Sequence, residues 1–177
     1  MTYKINLSNY KITLFGFLGS LVFAFLCVLL YLFDLGELIF PMLYIPGAIF
    51  GFAMTIALRH RSDKSILIFV FSTVEYLVMI FFCFKGFEYL ILRRILMGGL
   101  GALVFLFSVN FVTNLKFDFI DYILGFSIGL VAAIFMWTDN FETINPWLTI
   151  LSVILWQTFI AMIINRRQLT LENETKK

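Results

Sequence analysis

The sequence predicts an all-α membrane protein, a bundle of six transmembrane helices with both termini on the cytoplasmic side. Three observations carry that expectation. The 177 residues are 62% hydrophobic with mean hydropathy +0.98, whereas soluble domains average roughly 45–50% apolar residues. Only 14% are charged, and the charges lie almost entirely between apolar runs. Six such runs, at about 12–33, 38–58, 65–84, 95–115, 120–137 and 147–164, match the roughly 17–25 residues with which a helix crosses a hydrocarbon core of about 30 Å. They are continuously apolar rather than alternating, which selects helices over barrel strands. Connections are short, so 1–177 reads as a single integral membrane domain that ends in a polar cytoplasmic tail, 165–177.

The first run follows Lys4 and ends far beyond the roughly 7–15 residues of a signal-peptide core, with no small-x-small cleavage site after it, so it reads as a retained helix. The second contains Pro41 and Pro46 in P-M-L-Y-I-P-G. Pro46 cannot donate its amide, which makes it a candidate helix break that loosens the carbonyl of Met42. The third run holds the one mid-span carboxylate, Glu75. Between the third and fourth runs, Phe87 to Leu92 are mostly apolar between charged ends and suggest a short segment at the outer headgroups. The fourth carries Asn110 in its inner half and Asn114 near its end. Lys116 to Asp121, before the fifth, reads as a solvated turn. Pro146 and Trp147 start the sixth as a helix N-terminus with an interfacial anchor.

Orientation follows from Lys and Arg. With the N-terminus inside, the inner set is Lys4, Lys11, Arg59, Arg61, Lys64, Lys116, Arg166, Arg167, Lys176 and Lys177, ten of the thirteen, against Lys85, Arg93 and Arg94 outside. The outer loops carry Asp34, Glu37, Asp139 and Glu142. A net charge of +2 gives no reason to expect a nucleic-acid partner. The expected partners are the lipid bilayer and either a membrane-protein partner or a second copy in a homo-oligomer. Compact loops suit a multi-pass protein of a bacterial cytoplasmic membrane.

Small residues mark where helices approach closely in lipid. Gly47 and Gly51 form G-x-x-x-G in the second span, and Gly125 and Gly129 repeat it in the fifth. Aligning Leu14–Phe25 with Leu96–Phe107 gives eight identities in twelve, among them Gly16/Gly98 and Gly19/Gly101, and the same offset of 82 sets Glu75 against Gln157. Three spans per half would make the halves an inverted repeat, the arrangement of many transporters whose sites lie near the midplane.

No catalytic constellation accompanies these features. His60 stands alone between Arg59 and Arg61, Cys27 and Cys83 belong to different spans, and neither H-E-x-x-H nor C-x-x-C occurs. No cofactor, metal ligand set or catalytic residue is assigned. Six helices in 177 residues resemble, in size and topology alone, the substrate-binding subunits of energy-coupling-factor transporters. Gly16, Gly19 and Ser20 do not reproduce that family's small-residue pattern in the first helix, and the chain is not assigned to it.

Glu75 is therefore the sharpest functional expectation, because a charged side chain at bilayer depth costs at least about 2.5 kcal/mol on insertion scales. At 1.5 Å of rise per residue, Glu75 and Gln157 each come within a few Å of the midplane. Glu75, Gln157 and Asn110 are the candidate midplane polar site. The expected function is transport or permeation of a cation, a proton or a small solute through that site. The alternative is a structural or regulatory subunit in which Glu75 is hydrogen-bonded glue to Gln157 or another helix and the glycine faces dock partner helices. A membrane enzyme acting on lipid-like substrates through Asp118 or Asp121 stands third.

Overall fold

The computed structural model describes residues 10–33, 45–59, 62–84, 90–136 and 146–174. Six helices account for nearly all of them: α1 Lys11–Leu32, α2 Ile45–Leu58, α3 Ile66–Phe84, α4 Leu90–Thr113, α5 Phe119–Met136 and α6 Pro146–Glu174. Three contain stretches long and apolar enough to cross a membrane, Lys11–Leu30, Ile95–Thr113 and Trp147–Glu174. Ile45–Leu58, Ile66–Met79 and Phe119–Ile134 are shorter apolar segments. Pro41, His60, Arg61, Lys85 and the acidic residues Asp34, Glu37, Asp139 and Glu142 lie outside the described residues.

Each helix packs on its neighbours in the chain, and α6 returns to α1, closing a ring. Two further contacts, α6 with α2 and α6 with α4, bring α6 toward the middle. The interior is aromatic. Phe50 of α2 stands 4.9 Å from Phe105 of α4 and 5.4 Å from Trp156 of α6, and Tyr76 of α3 meets Trp156 at 6.0 Å, measured between ring centroids. Tilted and edge-on ring pairs at such distances add directional attraction to their burial. The outside is also apolar: Phe111 and Phe119 are 77% and 78% exposed, and Phe25, Val74, Phe81 and Val104 are exposed as well. Apolar surface on this scale is rare on soluble monomers and is consistent with an integral membrane protein.

Local chemistry explains the helix ends. Ser62 accepts the Lys64 N–H at 3.1 Å in the turn before α3, and Thr55 of α2 ties that turn down by donating to the Ser65 carbonyl at 3.0 Å. Asn114 ends α4 in the left-handed conformation, φ 56°, with its N–H donated to the Asn110 carbonyl at 2.9 Å. Asparagine tolerates that conformation better than most residues.

Two expectations change. Leu90 to Arg94, assigned from sequence to an interfacial connection, form the first turns of α4. The polar segment from residue 165, expected as a tail, continues α6 to Glu174. It contains no proline or glycine, Gln168 donates to Glu172 one turn on at 2.9 Å, and Leu171 packs against the core. Side-chain pairs four apart and a leucine packed partly against the core are what a helix extension needs.

Candidate functional site

α3 presents its two faces to different neighbours. Phe69, Ser72 and Tyr76 meet α2, where Gly47 and Gly51 leave no side chain between the backbones. The Ser72 hydroxyl, 2% exposed, donates to the Gly47 carbonyl at 2.7 Å. Glu75 and Met79 turn the other way, to α4. A Cβ built on Gly101 would overlap the Met79 thioether and lie 3.3 Å from Glu75 Oε1. The carboxyl therefore rests on bare backbone, in space that alanine at position 101 would narrow.

Glu75 Oε2 is buried and has no hydrogen-bond partner among the described residues. Gln157 is fully buried and donates from Nε2 to the Pro46 carbonyl at 3.0 Å, while its Oε1 is buried without a partner. The helix reading had suggested a Glu75–Gln157 bond, but the two side chains address different helices, α4 and α2. Pro46 occupies the first turn of α2, where a missing N–H costs no intrahelical bond. Met42, whose carbonyl it was expected to free, lies outside the described residues. The carbonyl that is engaged belongs to Pro46 itself.

Asn110 does not join this group. It lies nine residues beyond Gly101, roughly 13 Å along α4 at the helical rise, and faces α5, where its Nδ2 comes 3.5 Å from the Tyr122 hydroxyl. That distance marks a weak bond at best. Tyr122 in turn stacks on Phe107 at 4.4 Å. An open groove of about 220 Å³ between α1 and α6, lined by Tyr10, Thr13, Leu14, Phe17 and Thr158, contains none of the candidate residues.

The glycines serve the bundle itself. Gly98 and Gly129 face each other so closely that a Cβ on either would strike the other's carbonyl, which welds α4 to α5. Gly125 packs on Leu106 of α4, and Gly16 lies against Ala161 and the Gln157 backbone of α6. The contacts run counter to the sequence repeat. If α1 to α3 matched α4 to α6, Gly98 should face α3 as Gly16 faces α6, yet it faces α5, and Gly101 rather than Gly98 faces α3. Likewise Gly47 and Gly51 serve the α2–α3 seam, whereas Gly125 and Gly129 serve mainly α4–α5 rather than α5–α6.

A second polar centre, not foreseen as such from Asp118 and Asp121, lies at the start of α5 and the C-terminal part of α6. Asp118 directly precedes α5 and Asp121 sits in its first turn, with Asp121 Oδ2 accepting the Asp118 N–H at 3.0 Å, one half of a capping box. Arg167 forks onto both oxygens of Asp118 at 2.7 Å and also donates to the Lys116 carbonyl. Arg166 pairs with Asp121 at 3.2 Å, and Asp121 is wholly buried. The expected solvated turn is thus a clamp in which both carboxylates are engaged, because α6 continues past the apolar run and brings its arginines over the α5 start. The signal was present in two acids three apart at a helix start and two arginines directly after the last apolar run.

No family model, curated protein or solved structure matches this chain. The site's geometry alone carries the functional reading. Among the described residues no cluster of three or more His, Cys, Asp or Glu side chains forms a metal-binding group.

Proposed function

We propose that this protein is a six-span, cytoplasmic-ended bundle that moves protons across the membrane, with Glu75 as the group that takes up and releases them. The observation that carries the reading is the Glu75 carboxyl, buried at Oε2 without a hydrogen-bond partner and seated on Gly101. Glue requires a bond, and a buried oxygen left unpaired is a cost without structural return. The glycine faces that a docking subunit would offer are occupied inside the bundle.

A proton suits the site better than a metal cation or a larger solute. Hard cations are held by about six oxygens, and Glu75 rests instead on the bare Gly101 backbone and the Met79 thioether, a soft ligand. Phe50, Phe105 and Trp156 fill the centre, which favours a carrier of the smallest possible cargo over an open pore. In this reading α2, α3 and α5 cross the membrane together with the connecting residues on their outer sides, in the orientation that ten inner basic residues specify, as suits a bacterial cytoplasmic membrane.

The test is proton flux into proteoliposomes under an imposed potential. Glu75→Gln should abolish flux while detergent-solubilised protein keeps its wild-type melting temperature. Unchanged flux in that variant would refute the proposal, and parallel loss of flux and stability would return Glu75 to a structural role.

A further inference from the structure

Glu75 is enclosed unequally along its own helix. Toward the start of α3, Ile68 is fully buried and stiff at its branched carbon, Phe71, four residues before Glu75, is packed against the core, and Ser72 is bonded to the Gly47 carbonyl. Across on α4, one turn from Gly101, Phe105 is fully buried and held between Phe50 and Trp156. Toward the Phe84 end of α3, the residue one turn from Glu75 is Met79, whose thioether lies on Gly101 beside the carboxyl. Residues four apart share a helix face, so Met79 sits directly over Glu75 on that side. Methionine is unbranched, with three rotatable bonds and a soft sulfur. Unlike Ser72 and Phe105, it can move without breaking a hydrogen bond or an aromatic contact.

We infer that Met79 is the gate through which Glu75 exchanges its proton, its thioether filling the slot over Gly101 and swinging out of it toward the Phe84 end of α3. The inference rests on the proposed role of Glu75 and adds a positioning residue and a side of access, the outer face in the orientation above. Gly101 is what makes room for the thioether beside the carboxyl, because a Cβ there would overlap it.

Access to Glu75 can be measured without transport. Dicyclohexylcarbodiimide, an apolar reagent, takes the oxygen of a protonated carboxyl on its central carbon and the proton on a nitrogen. The resulting O-acylisourea rearranges to a stable N-acylurea with nothing lost. Full-length protein in liposomes is labelled and the adduct at Glu75 quantified by mass spectrometry, with Glu75→Gln as the blank. Met79→Ala should raise the initial labelling rate several-fold and Met79→Ile, bulky and stiff, should lower it. Val78→Ala, on the exposed face of α3, should leave it unchanged. Equal rates in wild type, Met79→Ala and Met79→Ile would overturn the inference, as would an absence of labelling in all three, or an equal acceleration by Ile68→Ala from the opposite side. Flux that survives Glu75→Gln would remove the transport reading alone, since the labelling rates still decide whether Met79 covers the carboxyl.

Discussion

The α3–α4 seam and the α5–α6 clamp each hold a carboxyl with a buried oxygen, and they differ in what faces it. Asp121 is wholly buried and accepts a backbone N–H on Oδ2, and its Oδ1, which has no hydrogen bond, faces the Arg166 cation at 3.2 Å, while its neighbour Asp118 holds Arg167 by two bonds. Glu75 has an unpartnered oxygen and rests on glycine and methionine. A buried charge is tolerated when it is paired and hydrogen-bonded, so the clamp can be understood as structure. The seam cannot, which is why function is placed there. The difference also teaches where each kind of centre can arise: the clamp lies at helix ends, where unpaired amides and a favourable dipole support acids, and the seam lies mid-helix, where the backbone's groups are used up.

Substitutions can break or sharpen that contrast. On the proposed function, Glu75→Gln should have the largest functional effect and little structural one: complete loss of flux with a stability change below about 1 kcal/mol, since no bond is lost. Arg166→Leu should do the reverse. It strands the buried Asp121 carboxylate, and because Arg166 itself is half-exposed the cost should be about 2–3 kcal/mol rather than the upper range for a fully buried pair, read as a lower melting temperature in detergent. Gly98→Ala forces a methyl against the Gly129 carbonyl and should cost about 1–3 kcal/mol by overpacking, again by thermal unfolding. Asp118→Asn, at a site 55% exposed, should cost no more than about 1 kcal/mol, and added salt should narrow its gap to wild type. A result in which Glu75→Gln destabilises as much as Arg166→Leu would erase the distinction between seam and clamp.

Much of the architecture was legible beforehand. α1, α3 and α5 each begin and end within a residue of the expected runs, because a long apolar stretch bounded by charge has few alternatives to a helix. Helix ends governed by tertiary contact were not legible: α6 extends to Glu174 because Arg166, Arg167 and Leu171 find partners on other elements. The candidate site was legible in depth and not in direction. A helix that is apolar all round has no polar stripe to show which side faces inward, so Glu75 and Gln157 could be placed at one level without showing that they turn to α4 and α2.

Composition and the spacing of charges, then, determined by themselves an all-helical, strongly apolar protein and singled out Glu75, because the cost of desolvating charge depends on local surroundings that sequence displays directly. Only the tertiary structure decided which carboxylates are paired, which carbonyls Gln157 and Ser72 occupy and which glycines meet. Those outcomes depend on helix rotation and on contacts between residues far apart in the chain, to which a run of apolar letters is blind.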